Sequence, residues 1–333
     1  MRRRVFVTGA SGFIGSNLVR RLVDEGHDVV ALMRRHSHHP LLDGVEFERV
    51  TGDLLEKESF EKALDGCDVV FHCAAVISFS RYTLSKAYPV NVDGTRNVLE
   101  AALKAGVRRF VFTSACATIG ISRTPDVILD ESSEWVPPES WVYAYTKYVS
   151  EREVLSYSEK GLETIALNPS AVYGQGDHAL NTGLAIKQIY KNRMLASPPG
   201  GTSYVSINDL IDAHILAMEK GKPGERYILV KENLRYIDLF NRIAQALHSK
   251  IIRFVLPPTA HYPLYYSMMT AESLLHFFGL RELPISSHIL DELFMFKYYS
   301  GKKAEKELGW RPREDLETAV VDAMEYYRKQ KMF

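Results

Sequence analysis

A doubly wound parallel α/β sheet with a smaller C-terminal lobe is the fold predicted for this chain, on three observations. Short β-branched runs alternate with stretches of helical periodicity through the first half. A glycine cluster separates the first run from the first periodic stretch. After Pro169 the alternation breaks down among Gly- and Pro-rich pieces. Near-continuous apolar strands separated by amphipathic helices are the pattern of a parallel sheet covered on both faces.

The expected strands are Val5–Thr8, Val29–Met33, Glu46–Val50, Val69–His72, Phe110–Thr113 and Thr164–Leu167. Between them, apolar side chains recur at helical spacing: Leu18, Val19, Leu22 and Val23; Phe60, Ala63 and Leu64; Val98, Leu99, Ala102 and Leu103. Such spacing gathers them on one helix face. Beyond Pro169, the pieces Gly174–Gly176, Ser197–Gly201 and Pro257–Pro258 interrupt the pattern, while Tyr204–Ile207 and Arg226–Val230 read as strands returning to the sheet. Residues 1–172, rejoined by 204–231, are therefore assigned to the sheet domain. Residues 173–203 and 232–333 are assigned to the lobe, whose Pro257–Tyr299 stretch is aromatic and irregular.

Composition narrows the classes of function. The 333 residues carry 41 Lys+Arg against 41 Asp+Glu, a formal net charge of zero, which argues against a nucleic-acid partner. A chain this long buries a core without disulfides or metal. Cys67, Cys73 and Cys116 form an odd set without CxxC spacing, so no disulfide framework or zinc site is expected, and a reducing cytoplasm is. His36, His38 and His39 lack a carboxylate or cysteine to complete a metal site. The basic start, Met1 to Arg4, precedes only about four apolar residues, short of the roughly 7–15 of a secretory leader. Ala260–Leu280 is the greasiest stretch, but His261, Glu272 and His276 break it below the roughly 18 residues of a membrane span. Contact of that stretch with a lipid surface stays open.

Gly9-Ala10-Ser11-Gly12-Phe13-Ile14-Gly15 lies between the first strand and the first helix. Its glycines permit a tight turn and a close approach of backbone to a pyrophosphate, which would rest on the positive end of that helix. In this strand–helix context the pattern points to a Rossmann-type dinucleotide site. NAD-selective sites place Asp or Glu about 20 residues on, against the ribose 2′-hydroxyl. Here Met33-Arg34-Arg35-His36 offers no carboxylate, and the Arg34 guanidinium suits a 2′-phosphate. NADP is the expected cofactor, NAD the alternative.

The Gly-x-x-Gly-x-x-Gly spacing resembles that of the extended short-chain dehydrogenase/reductase family, and further motifs match it. Gly52-Asp53-Leu54 stands where that family places an aspartate near the adenine, and His72-Cys73-Ala74-Ala75 where small residues line the cofactor channel. Asn91-Val92-Asp93-Gly94-Thr95-Arg96-Asn97 matches its Asn-x-x-Gly-Thr-x-Asn helix, and Leu308-Gly309-Trp310-Arg311-Pro312 its C-terminal pattern. The resemblance implies a catalytic Tyr-x-x-x-Lys pair. That spacing occurs at Tyr82/Lys86, Tyr143/Lys147, Tyr227/Lys231, Tyr298/Lys302, Tyr299/Lys303 and Tyr327/Lys331. Only Tyr143/Lys147 follows the fifth strand with its Thr113-Ser114 edge and precedes the sixth, which ends in Asn168-Pro169-Ser170.

Tyr143 and Lys147 should lie one helical turn apart. Reducing a carbonyl by hydride leaves an alkoxide that needs a proton, and a tyrosine of pKa about 10 is a poor partner at neutral pH. A lysine within roughly 4–6 Å would lower it by about 1–3 units. By the resemblance, Lys147 also holds the nicotinamide ribose and Pro169-Ser170 lies beside the nicotinamide. The family's usual Ser or Thr two positions after Thr113 is here Ala115, so Ser114 or Thr118 would have to donate to the substrate, or Tyr143 act alone. Arg34, Asn168-Pro169-Ser170 and Gly224–Leu229 look most like the dihydroflavonol-reductase-like branch, which includes proteins labelled hopanoid-associated sugar epimerases.

The expected function is an NADP-dependent oxidoreductase interconverting a secondary alcohol and a ketone on an apolar or ring substrate. His261, Tyr262, Tyr265, Tyr266, Met268, Met269, Phe277 and Phe278 would suit such a small molecule, or serve as lobe core. Two alternatives stand: a nucleotide-sugar epimerase or dehydratase with bound NAD, for which Arg193, Arg235 and Arg253 are available, and a non-catalytic dinucleotide-sensing regulator. A homodimer through the helices around Asn91–Ala105 and Tyr143–Tyr157 is expected from the resemblance and from the frequency of two-fold dimers.

Overall fold

The computed structural model describes residues 2–278, 280 and 286–333. Residues 279 and 281–285 of the aromatic stretch lie outside them. Through the first half the chain runs β1 (Arg4–Thr8), α1 (Phe13–Asp24), β2 (Asp28–Met33), β3 (Glu48–Thr51), β4 (Val69–His72), α2 (Leu84–Tyr88), α3 (Gly94–Lys104), β5 (Arg109–Thr113), α4 (Val142–Ser156) and β6 (Glu163–Pro169). It continues as β7 (Ala171–Tyr173), α5 (Gly183–Tyr190), β8 (Gly201–Ser206), α6 (Ile207–Lys220), β9 (Arg226–Leu229), β10 (Glu232–Arg235) and α7 (Tyr236–Ala246). Last come α8 (His261–Phe277), α9 (Ser287–Leu293), β11 (Phe296–Lys297), α10 (Lys302–Leu308) and α11 (Leu316–Lys329).

Seven parallel strands form the main sheet in the order β3-β2-β1-β4-β5-β6-β9. Every residue of β4 and β5 is buried, as a strand covered on both faces requires. One apolar layer holds Leu18 and Leu22 of α1 with Leu210 and Ala213 of α6. The opposite layer holds Val98 and Leu99 of α3 with Val154 of α4. Arg109, buried at the start of β5, pairs with Glu163 at 2.7 Å and donates to the carbonyls of Ala217 and Met218. It thereby satisfies the open Met218 carbonyl in the last turn of α6 and shares the Ala217 carbonyl with the Gly221 amide.

Two expectations are corrected. The Phe60, Ala63 and Leu64 pattern is not an α-helix but the 3₁₀ turns Lys57–Ser59 and Glu61–Leu64. Ser59 Oγ accepts from Asp53 N at 3.0 Å and donates to the Glu56 carbonyl at 2.6 Å, a side-chain competition that tightens the chain there. Phe60 and Leu64 are buried all the same. Tyr204–Ile207 does not return to the main sheet. Its strand, β8, pairs antiparallel with β10 and parallel with β7 and β11 in a second sheet. The strand ends where Ser206 Oγ accepts from Asp209 N at 3.0 Å, a helix cap that makes Ile207 the first residue of α6. The return to the main sheet is made by α6 and β9.

The C-terminal segment is clamped to α6. Trp310 is 1% exposed and its indole donates to the Asp209 carbonyl at 2.8 Å, while the Asp209 carboxylate accepts from the amides of Arg313 and Glu314. Among the described residues no helix is long and apolar enough to cross a membrane. Trp310→Ala, which opens a cavity and strands an acceptor, should lower unfolding free energy by about 3–5 kcal/mol in urea titration.

Candidate functional site

Strand order reverses at β1, whose neighbours β2 and β4 lead away in opposite directions, and ligands of open α/β sheets bind outside the strand ends at such a point. Here the glycine loop meets the turn after β4. Gly9 has φ +69°, and a Cβ on it would lie 2.6 Å from the Ala74 nitrogen. A side chain at Gly15 would strike the Gly9 carbonyl, so glycine lets α1 close onto the turn. Gly12 is extended before the first helical residue, Phe13, with no side chain capping α1 and no acid in its first turn. The helix end thus presents free N–H groups to an anion.

Two buried histidines stiffen the strand ends. Thr95 Oγ1 donates to the Asn91 carbonyl at 2.5 Å, so it accepts from His72 Nε2 at 2.9 Å. His72 Nδ1 then accepts from Thr8 Oγ1 at 2.7 Å. On the other side, His214 Nδ1 donates to the Leu210 carbonyl and Nε2 accepts from Thr113 Oγ1, both at 2.8 Å, with Cys73 Sγ 3.3 Å from the same hydroxyl. Burial lowers His72 to about 3 and His214 to about 4.

The sequence-derived site residues divide into two groups. Gly9, Ser11, Gly12, Phe13, Ile14 and Gly15 converge with Cys73, Ala74, Ala75, Thr113, Pro169 and Ser170 at the carboxyl ends of the strands. Ser170 Oγ is buried without a partner, as is Asn168 Oδ1. The open helix end, the Gly9 cradle and this orphaned hydroxyl fit a dinucleotide. Arg34 follows β2, exposed, and the neighbouring Arg49 guanidinium rests on the carbonyls of Arg34, Arg35 and Ser37. Asp53 accepts from Leu55 N in a tight turn, and Leu54 is buried against Gly94.

Asn91 is committed to structure. Its amide brackets Val76, accepting at 2.7 Å and donating at 3.0 Å, and also donates to Thr146. It lies in a π-helical turn, Pro89–Asp93, ahead of α3. A larger correction concerns Ser114. Its hydroxyl donates to Glu151, a carboxylate 1% exposed that also accepts from Thr118 Oγ1 at 3.0 Å and Asn168 Nδ2 at 2.6 Å and pairs with Arg226 at 3.1 Å. Neither Ser114 nor Thr118 has a proton free to replace the hydroxyl missing at Ala115. Glu151 was not anticipated, although it stands four residues after Lys147 on the same helical face.

Lys147 is buried, donates to the Thr113 carbonyl at 2.5 Å and lies 4.1 Å from the Phe112 ring centroid. Burial lowers it to about 8. Tyr143 packs edge-on to Phe79, ring centroids 5.8 Å apart. The expected lowering of its pKa by Lys147 is not found: burial raises the phenol to about 12, with Cys116 adding to the shift. Beyond Phe79 lies a small cavity walled by Trp141, Tyr265, Arg81, Glu272 and His288. His288 donates to Glu292 at 3.0 Å while its Nδ1 is buried without a partner. Of the lobe aromatics expected to line a pocket only Tyr265 does so; Tyr262, Tyr266, Phe277 and Phe278 are exposed, and His261 pairs with Asp291 at 2.8 Å.

Residues 5–229 match the model of the NAD dependent epimerase/dehydratase family. The chain belongs to this family. Two full-length relatives agree with that membership. Sterol demethylase protein B of Methylococcus capsulatus is 32% identical over 98% of both chains, and a putative dihydroflavonol 4-reductase of Synechocystis is 31% identical over 97% of this chain and 94% of that one. The crystal structure of gox2253 superposes with a TM-score of 0.83 at 33% identity over 99% of both chains. As a member of the epimerase/dehydratase family, the chain is an NAD(P)-dependent enzyme of the oxidoreductase/epimerase kind.

The buried histidines make stability depend on pH. Both are neutral when folded and bind a proton below about 6.5 once unfolded. Stability is therefore intact above pH 6.5 and falls as pH drops toward 4 and 3, by about 1.4 kcal/mol per pH unit for each. Urea midpoints measured from pH 7.5 to 5 should show this decline, and His72→Gln should remove close to one proton from its slope.

Proposed function

We propose that this enzyme is an NADP-dependent reductase that interconverts a ketone and a secondary alcohol on an apolar, ring-bearing small molecule. The observation that carries the reading is Tyr143, a phenol held protonated between the strand ends and the aromatic cavity. When bound, the reduced dinucleotide supplies the hydride. Tyr143 gives its proton to the carbonyl oxygen as the far more basic alkoxide forms; burial, which raises the phenol to about 12, keeps it protonated beforehand but makes it a weak acid. Lys147, lowered by burial to about 8, is largely charged at neutral pH and, donating to the Thr113 carbonyl at the strand ends, would hold the nicotinamide ribose.

The glycine loop, Gly9 to Gly15, would cradle the pyrophosphate. Asp53 and Leu54 would hold the adenine side, Cys73, Ala74 and Ala75 would line the channel, and Pro169 and Ser170 would receive the nicotinamide. Arg34, with Arg49 resting on its carbonyl and that of Arg35, would take the 2′-phosphate. The relatives named for a sterol and a dihydroflavonol support a fused-ring substrate. The cavity supports it too: its one arginine, Arg81, is already bonded to Ser287 and faces Glu272, a poor match for a sugar-nucleotide diphosphate.

Titration by nucleotide fluorescence should show tighter binding of NADPH than of NADH, and Arg34→Ala should narrow the gap roughly tenfold. A wild-type preference for NADH would refute the cofactor assignment. Tyr143→Phe should reduce turnover of a ketone substrate by about 10²–10⁴ while NADPH affinity stays nearly constant. Ala115→Ser should raise the rate by about tenfold or more. Turnover surviving in Tyr143→Phe would place the proton elsewhere.

A further inference from the structure

The lobe carries a surface with no role in the chemistry. Helix α8 is apolar around most of its circumference, a pattern ordinarily found in a buried helix, yet His261 is its only buried residue. Tyr265 and Glu272 face the cavity. The outward side presents Tyr262, 58% exposed, Tyr266, and Phe277, 81% exposed. Adjoining loops add Leu195, 84% exposed, with Ile251, Phe254 and Val255.

Charge on this face is one-sided, although the whole chain is neutral. No Asp or Glu occurs in residues 178–208 or in residues 239–271. Backbone bonds join the two segments: Ser197 N to the Phe254 carbonyl at 2.9 Å and Leu256 N to the Ser197 carbonyl at 2.8 Å. Lys250 N donates to Asn192 Oδ1 at 2.8 Å, placing another basic residue at the same junction. Lys191, Arg193, Lys250 and Arg253 are exposed, and none forms an ion pair among the described residues. Of the acids on α8 and α9, Glu272 turns inward to Ser287 and Asp291 to His261, while Asp238 of α7 is exposed.

We propose that this face seats the protein on an anionic lipid surface. The aromatic and aliphatic side chains enter the boundary between headgroups and acyl chains, and Lys191, Arg193, Lys250 and Arg253 pair with the headgroups. A second copy of the chain is a worse occupant, because it would bring the two sets of cations together. The docking does not depend on the reductase reading, and its test needs no substrate.

The full chain is sedimented with vesicles of phosphatidylcholine alone and of phosphatidylcholine with phosphatidylglycerol in a three-to-one ratio. It should bind the anionic vesicles, much less the neutral ones, and release in high salt. Each basic residue near such a surface strengthens binding roughly fivefold, so Lys191→Gln with Arg253→Gln should weaken it by roughly 25-fold. Tyr262→Ser with Phe277→Ser should weaken it as well. All four positions are exposed, so thermal midpoint and circular dichroism should match wild type. Failure to bind anionic vesicles overturns the proposal. So does a wild-type dimer that Tyr262→Ser with Phe277→Ser converts to monomer, because the face would then be covered by a second copy.

Discussion

One buried carboxylate fixes the ground on which the site stands. Glu151 ties α4 to three neighbouring strands of the main sheet: to the end of β5 through Ser114 and Thr118, to the end of β6 through Asn168, and to the start of β9 through Arg226. Taking a carboxylate out of water is costly unless charge and hydrogen bonds surround it, and here both do. The arrangement is therefore brittle in composition but exact in position. Lys147 and Tyr143, one and two turns earlier on the same helix, inherit that position.

The same network explains why the methyl of Ala115 has no stand-in. Hydroxyls are plentiful near it, yet those of Ser114 and Thr118 point their protons at Glu151. Proximity in sequence is a poor guide here, because a buried anion outcompetes a transient ligand for every donor within reach. Burial works likewise on Tyr143 and Lys147: desolvation disfavours phenolate and ammonium alike, moving the two pKa values toward their neutral forms.

Much of this was legible in the sequence. The strands of the main sheet, the glycine turn and the placing of Tyr143 and Lys147 on one helix between the fifth and sixth strands all follow from local periodicity and order along the chain. What escaped was set by contacts distant in sequence. Phe79 and His288 meet across some two hundred residues, and no spacing announces that. Tyr204–Ile207 was misplaced because a buried strand reads alike in either sheet, and only its partners β7, β10 and β11 tell which. The aromatic residues of α8 misled for a different reason. Apolar composition signals removal from water, but it does not say what removes it.

His288 gives the cavity a bias that its aromatic walls lack. One ring nitrogen is tied to Glu292, itself held by Lys297 at 2.6 Å, and the other has no hydrogen-bond partner among the described residues. Under the proposed function, a purely apolar guest would leave that buried nitrogen as unsatisfied as it already is, whereas a guest that brings a polar group to it would relieve the deficit. Selection of this kind works by rejection, and the penalty for a missing partner is steeper than the gain from an added methylene. Under the proposed function the cavity would thus filter for substitution pattern as much as for shape, next to Trp141, whose ring centroid lies 4.2 Å from the imidazole.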